Sequence, residues 1–128
     1  MSATANLNRV RISPRKVSEV AALVRGRTVE DALVILDHTP RRSANDVKQA
    51  VKSAAANAEH NHNFKPGTLF ISSISVTAGP RYRRWRPVAR GQANRFARQT
   101  SHIQVVVDGE KRVPKKPAVK VEETKETK

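Results

Sequence analysis

Arginine and aromatic side chains alternate in one short segment, residues 79–98, which reads GPRYRRWRPVARGQANRFAR. A guanidinium group can bind two phosphate oxygens and stack on a base, and an aromatic ring offers a flat surface to an unpaired base. Stacking on unpaired bases is more typical of RNA recognition than of duplex DNA recognition. The segment therefore favours RNA as the ligand. The residues expected to contact RNA here are Arg81, Tyr82, Arg83, Arg84, Trp85, Arg86, Arg90, Arg95 and Arg98.

The distribution of charge supports this interpretation. The chain has 128 residues, with 25 Lys and Arg against 11 Asp and Glu, and its net charge is +14. Residues 60–107 contain no carboxylate, and seven arginines lie between residues 81 and 98. An excess of this size indicates a polyanionic partner. The alternative is a solvated arginine patch whose aromatic rings pack on the base of the segment, but the arginines would then repel one another without a counter-charge.

A second group of basic residues lies near the N-terminus, around the start of a predicted helix. The backbone N–H groups at a helix start favour an anion, and we therefore add this group to the predicted RNA contacts. An exposed charged face explains each member singly just as well. The group consists of Arg9, Arg11, Arg15 and Lys16. A weaker signal of the same kind comes from Arg41, Arg42, Lys48 and Lys52.

Motifs for catalysis or metal binding are weak in this sequence. The run His60-Asn61-His62 resembles a metal-dependent nuclease triplet, but only Glu59 and an unanchored His102 could complete the site. Ser101, His102 and Asp108 lack the strained turn that presents a nucleophile. Cys is absent and the five glycines are scattered, so thiol chemistry and a phosphate-cradling loop are excluded. We expect no catalytic residue, no metal, no cofactor and no small-molecule substrate.

Three helices are predicted in the first half of the chain. Ser13-Pro14 is typical of a helix start, and valines and alanines at helical spacing continue to Gly26, which predicts a helix over 14–25. Thr28 and Asp31 resemble a capping box and predict a second helix over 29–38. Thr39-Pro40 repeats the start signal, and a stripe of small residues follows it, which predicts a third helix over 40–60.

The second half of the chain changes to strand periodicity. Residues 69–77 alternate, which places Phe70, Ile74 and Val76 on one predicted face, and residues 101–107 place Ile103, Val105 and Val107 on one face. These two strands should pair antiparallel, and residues 7–12 could add a third strand. Between the strands at 69–77 and 101–107, residues 79–98 are expected to form an extended β-hairpin with its tip near Arg90 and Gly91. A two-stranded ribbon is marginal alone, so we expect RNA to order it.

These elements together predict an α+β fold, in which three helices pack on a small three-stranded antiparallel sheet with a long protruding β-hairpin. We expect one globular domain over residues 1–110, which includes the hairpin, and a disordered charged tail over 111–128. No apolar run approaches the ~20 residues of a membrane span, and residues 1–8 lack a signal-peptide core. We therefore expect no membrane contact and a cytoplasmic location.

Several longer motifs resemble the family of large-subunit ribosomal proteins numbered twenty-two. The resemblance covers about residues 8–107. It implies a globular part on the outside of the large subunit and a hairpin that threads ribosomal RNA to the wall of the peptide exit tunnel. It also implies roles in assembly, nascent-chain passage and macrolide response. The motifs are SPRKV at 13–17, LVRG at 23–26, SAAANAEHNH at 53–62, GPRYRRWRPVARGQANR at 79–95 and TSHIQVVV at 100–107.

The resemblance also extends to single residues of the hairpin. Its implied partners are large-subunit ribosomal RNA, neighbouring large-subunit proteins and the nascent peptide. The positions that match basic residues or the tip glycine of the family are Arg83, Arg84, Arg90, Gly91, Arg95 and Arg98. Val88 and Gln92 replace arginines of many members, Asn94 replaces a frequent aspartate, and Trp85 stands at a commonly aliphatic position. The predicted tunnel-facing tip comprises Val88, Ala89, Arg90, Gly91 and Gln92.

Two other functional classes compete with this structural role. A free-standing RNA or DNA chaperone would bind many sequences with similar affinity and dissociate at moderate salt. A metal nuclease would cleave in a metal-dependent way that requires His62. The first class explains the charge but not the motifs, and the second depends on the weak histidine triplet alone.

Overall fold

Five strands and three α-helices make up the computed structural model, which describes residues 2–112. A short 3-10 turn at Pro66–Thr68 precedes the second strand, and a tight turn at Ala89–Gly91 forms the hairpin tip. The helices are α1 (Pro14–Val24), α2 (Val29–His38) and α3 (Arg42–His62). The strands are β1 (Ala3–Val10), β2 (Phe70–Ala78), β3 (Tyr82–Pro87), β4 (Ala93–Arg98) and β5 (Ser101–Asp108).

Two separate antiparallel sheets contain these strands. The larger sheet has the order β1-β5-β2, so the last strand lies in the middle. Strands β3 and β4 form the second sheet and pair only with each other. The predicted antiparallel pairing of residues 69–77 with 101–107 and the added N-terminal strand are therefore confirmed. The α+β class, with three helices and a three-stranded antiparallel sheet, is confirmed as well.

The hydrophobic core lies between the helices and one face of the larger sheet. Alternate residues of β5, namely Ile103, Val105 and Val107, are buried there. The helix stripes predicted from periodicity meet this face, and the small residues of α3 allow it to pack against β1 and β5. The opposite face of the sheet carries exposed polar side chains such as Asn6, Ser75 and Gln104. Within residues 2–112, no helix is long and apolar enough to cross a membrane.

The N-terminal strand begins earlier than the predicted 7–12 and ends at Val10. Ala3 and Ala5 pair with Val107 and Val105 of β5, and both alanines are buried. Alanine is depleted in strands, so the alternation of these two residues does not by itself indicate a strand. Their small side chains leave room for α3, which packs across β1.

The start of α3 also differs from the prediction, because the helix begins at Arg42 rather than at residue 40. The Thr39 hydroxyl donates to the carbonyl of Ile35 (2.7 Å), so it closes the end of α2 instead of capping α3. The N–H of Arg41 donates to the Thr39 carbonyl (2.8 Å), which forms a tight link between the helices. Pro40 therefore belongs to this link and not to the first turn of α3.

A β-bulge in β2 reverses the predicted face of one aromatic residue. The register of β2 against β5 shifts between Ile71 and Ser73, so Ser72 is an extra residue in the strand. As a result Ile71 and Ile74 both point into the core, whereas Phe70, predicted to share a face with Ile74, is 44% exposed. Simple alternation fails here because the bulge adds one residue to the count.

The chain after β5 continues along the loop that follows α3. Asn63 ends the helix in a left-handed conformation, and its carbonyl accepts the N–H of Arg112 (2.7 Å). Phe64 forms an isolated β-bridge with Lys111, and Lys65 donates its N–H to the carbonyl of Glu110 (2.9 Å). The predicted tail began at residue 111, and its residues 113–128 lie outside the described residues.

Candidate nucleic-acid interface

The base of the β3–β4 hairpin is tied to the larger sheet at one point. The N–H of Gly79 donates to the carbonyl of Thr100 (2.8 Å), and the Thr100 hydroxyl donates to the carbonyl of Pro80 (2.7 Å). Thr100 is buried, and a Cβ on Gly79 would lie 2.5 Å from its hydroxyl oxygen. Only glycine fits this close approach, so the pair anchors both strands as they leave the core.

The register of β3 against β4 distributes the hairpin side chains over two faces. Tyr82 pairs with Arg98, Arg84 with Phe96, and Trp85 with Arg95. Because successive strand residues point to opposite sides, the ladder defines a tyrosine face and a tryptophan face. The tyrosine face comprises Tyr82, Arg84, Arg86, Phe96 and Arg98. The tryptophan face comprises Arg83, Trp85 and Arg95.

Each aromatic ring of the hairpin lies next to a guanidinium group on its own face. On the tyrosine face, Phe96 has Arg86 at 5.7 Å and Arg98 at 5.5 Å from its ring centroid, and Arg84 lies 6.0 Å from the Tyr82 ring. On the tryptophan face, Arg95 lies 4.7 Å from the Trp85 ring. Phe96, like Tyr82 and Trp85, was expected from its residue type to offer a flat surface to an unpaired base, although it was not among the residues expected to contact RNA.

The hairpin rings are not packed into the core. Trp85 is 58% exposed and Tyr82 is 40% exposed, whereas Phe96 is half-buried. The alternative, in which the aromatic rings pack on the base of the hairpin, is therefore excluded for Trp85. An exposed ring beside an arginine offers a flat surface and a positive charge at the same place, which suits a stacked base next to a phosphate.

The chain reverses in a tight turn over Ala89–Gly91, at the position predicted for the tip near Arg90 and Gly91. Both residues adopt positive φ angles, of 58° and 70° respectively. The N–H of Val88 donates to the carbonyl of Gln92 (2.9 Å), which closes the turn. All five predicted tip residues are exposed, so the tip presents two apolar side chains, one arginine and one amide.

The predicted N-terminal contacts do not form one cluster. Arg11 and Lys16 line a groove together with Arg98 of β4, whereas Arg9 faces a neighbouring depression that Arg11 also borders. The backbone N–H of Arg9 donates to Nδ1 of His102 (3.2 Å). Arg9 itself has a left-handed φ of 58°. Arg15 is exposed on the first turn of α1 and lines neither concavity.

The sequence indicated little about where Arg42 lies relative to the hairpin. It stands at the first position of α3 and borders both the groove and the neighbouring depression. Asp46, on the depression side, has its pKa raised by burial, and the positive charge of Arg42 opposes this shift. Adjacent arginines at a predicted helix start were a signal for this site, but sequence could not place them beside Arg98.

Two of the histidines considered for a nuclease site, His62 and His102, make other contacts. His62 stacks on Phe64 with ring centroids 5.9 Å apart, and His102 accepts the Arg9 N–H. Among residues 2–112, no group of three His, Asp or Glu side chains is arranged to hold a metal ion.

Comparison with known proteins identifies the family of the chain. The family model described as ribosomal protein L22p/L17e matches residues 5–108. That range contains β2 to β5, with the whole hairpin, and β1 from Ala5 onward.

Individual relatives agree with the family match. A protein named large ribosomal subunit protein uL22 from Clostridioides difficile is 46% identical over 111 residues, which cover 87% of this chain and 100% of the relative. A protein of the same name from Desulforamulus reducens is 48% identical over 111 residues, 87% of this chain and 98% of the relative. A third from Thermomicrobium roseum is 44% identical over 108 residues, 84% of this chain and 92% of the relative. The chain therefore belongs to the ribosomal protein L22p/L17e family, a family of structural components rather than enzymes.

Proposed function

We propose that this chain is a structural component of the large ribosomal subunit and that it binds large-subunit ribosomal RNA through its β3–β4 hairpin. Its neighbours in that subunit are other large-subunit proteins, and its location is the cytoplasmic ribosome. Family membership and the printed names of the relatives support the assignment to the large subunit. The resemblance of the hairpin motif to the family supports its contact with RNA.

One observation carries the RNA-binding part of the proposal: both hairpin faces combine exposed aromatic rings with arginines in a carboxylate-free segment. The seven arginines of residues 81–98 meet no acidic side chain there, since residues 60–107 contain none. Arginine neutralises phosphates, and the rings beside it stack on unpaired bases. Arg83 and Arg95 on one face, and Arg84 and Arg98 on the other, allow RNA to contact the hairpin from both sides.

The tunnel part of the proposal concerns the tip, Val88, Ala89, Arg90, Gly91 and Gln92. In this role the tip lies at the wall of the nascent-peptide exit tunnel and contacts the nascent peptide. The match of Arg90 and Gly91 to the family tip motif supports this position. The tip is also exposed and lies at the end of the hairpin farthest along the ladder from the Gly79–Thr100 anchor.

Sedimentation tests the assignment to the large subunit. A tagged chain is expressed in cells, and the lysate is washed at high salt and sedimented through sucrose. The chain is expected to remain with large-subunit particles, because many phosphate contacts and packed RNA hold an assembled component. A chain that runs in free fractions, or that follows DNA, would indicate a basic chaperone instead.

Single-cysteine cross-linking tests the tunnel position, since the chain has no native cysteine. Ala89→Cys at the tip is compared with Lys52→Cys, which lies on the exposed side of α3. With ribosomes stalled on a nascent chain, the tip variant is expected to cross-link to the nascent peptide and the control is not. Equal cross-linking of the two variants, or none from Ala89→Cys, would contradict the tunnel assignment.

A further inference from the structure

A basic groove runs along the base of the hairpin, where β4 meets the starts of α1 and α3. We call it the base groove. The first concavity along it is bordered by Arg11, Lys16, Arg42 and Arg98. The next concavity shares Arg11, Arg42 and Arg98 and continues to Tyr82 and Arg84 on the tyrosine face of the hairpin. The groove thus connects the globular part to one face of the hairpin.

No carboxylate borders the base groove along either concavity. Arg41, at its margin, forms an exposed ion pair with Glu19 (3.5 Å). Asp46 lies on the other side of Arg42, in the neighbouring depression. Four cationic side chains from separate segments therefore converge on one concave surface, and an anion bound between them would relieve their mutual repulsion.

The walls of the base groove are held in place by the fold. The hydroxyl of Ser43, a buried residue in the first turn of α3, donates to the carbonyl of Lys16 in α1 (3.3 Å). This bond ties the two helix starts together. Neither helix has an acidic residue in its first turn, so the partial positive charge of each helix start adds to the cationic side chains.

We propose that the base groove binds the sugar–phosphate backbone of the RNA strand that the hairpin contacts. Arg11, Arg42 and Arg98 bind phosphodiester groups without reading bases, and the strand continues past Tyr82 and Arg84 onto the hairpin. This inference rests on the proposed function. It assigns the chain a second RNA contact, beside the hairpin, that binds only the phosphate groups of the strand.

Salt-dependent binding of full-length variants to an in vitro transcript of Clostridioides difficile large-subunit ribosomal RNA tests the proposal. The groove variant is Arg11→Gln/Arg42→Gln. The control, Arg27→Gln/Lys65→Gln, removes the same charge from exposed positions that border neither concavity and that are not among the predicted RNA contacts. A hairpin variant, Arg83→Gln/Arg95→Gln, reports on the proposed function separately. Affinity is measured at several salt concentrations against excess transfer RNA.

The groove variant is expected to bind about tenfold more weakly or worse, since two charge-assisted contacts are lost. Its log–log salt slope should fall by about 0.7–0.9 for each lost phosphate contact, whereas the control should keep the wild-type slope. Circular dichroism shows whether the groove variant is folded. If it is not, the single variant Arg98→Gln replaces it, with a slope expected to fall by about 0.7–0.9.

The outcomes separate the two proposals. If the groove variant binds like the control while the hairpin variant loses affinity, the base groove is not a phosphate site and the proposed function stands. If neither variant differs from wild type, or if wild type does not prefer the transcript to transfer RNA, both proposals are overturned. If the log–log salt slope fell equally in the groove variant and the control, the groove would also not be a specific phosphate site. The effect would then be one of net charge.

Discussion

The Arg95 guanidinium lies 4.7 Å from the centroid of the Trp85 ring, and the two residues face each other across the β3–β4 ladder. A cation over an indole face is attracted to the ring electrons. The pair holds both groups on the tryptophan face although Trp85 is 58% exposed. One residue pair thus places an exposed aromatic surface and a positive charge side by side.

Trp85→Ala is expected to weaken binding of the chain to large-subunit ribosomal RNA by roughly 5- to 150-fold, since stacking of a base on an aromatic ring contributes about 1–3 kcal/mol. Trp85→Phe keeps a ring and should retain most of the affinity. Because the chain has one tryptophan, its fluorescence reports on this site directly and should change on titration with RNA. Unchanged affinity in the alanine variant would show that the ring does not stack on RNA.

The hairpin is expected to become rigid only on RNA. Along residues 82–98 nearly every side chain is exposed, with Phe96 half-buried, so little apolar burial offsets the entropy of ordering the backbone. Heteronuclear NMR relaxation of the free protein should show residues 82–97 more mobile than β5, and RNA should remove this difference. A free hairpin as rigid as the core would contradict the expectation.

Ile71→Ala is expected to lower the free energy of unfolding by about 2–5 kcal/mol, because Ile71 is fully buried and its truncation leaves a cavity. Phe70→Ala, next to it in β2, should cost about 1 kcal/mol or less, since an exposed side chain loses little packing. Urea unfolding of the two variants measures the difference. A larger loss for Phe70→Ala would indicate that the bulge between Ile71 and Ser73 is absent.

Asp46→Asn is expected to stabilise the protein at neutral pH. Burial raises the pKa of Asp46 above its ordinary value, so the folded state holds its proton more tightly than the unfolded state does. Ionisation of Asp46 therefore destabilises the fold above its folded pKa, and this penalty disappears as the pH falls below the unfolded value. The asparagine removes the charge and should raise the melting temperature at pH 7.

The pH dependence of that difference provides the control. The melting temperatures of wild type and Asp46→Asn should converge near pH 3, where the wild-type carboxyl is protonated in both states. A variant that melts lower than wild type at pH 7 would show that attraction between Asp46 and Arg42 outweighs the cost of burial.

Local signals in the sequence identified the helices and their core faces well. In α1, Val17, Val20, Ala21 and Val24 were predicted to form one stripe, and all four are buried. In the same way, alternate residues of β5 were assigned to the core and are buried there. Periodicity succeeds in these elements because each has one buried face and no irregularity, so sequence spacing translates directly into direction in space.

The errors occurred where a contact between distant segments controls the local structure. The bulge in β2 depends on its register against β5, and the early start of β1 depends on pairing of Ala3 and Ala5 with the same strand. Thr39 closes α2 rather than starting α3, which sequence spacing alone did not distinguish. In each case tertiary pairing overrides a local preference.

For the interface, the sequence by itself determined the composition: a carboxylate-free segment, seven arginines and three aromatic rings that suit a polyanionic partner. Only the tertiary structure decided the arrangement. The ladder register places Arg95 beside Trp85, and packing of α1, α3 and β4 brings Arg11, Arg42 and Arg98 to one groove. Charge and residue type are properties of the chain, whereas the distance between residues that are far apart in sequence exists only once the chain has folded around its core.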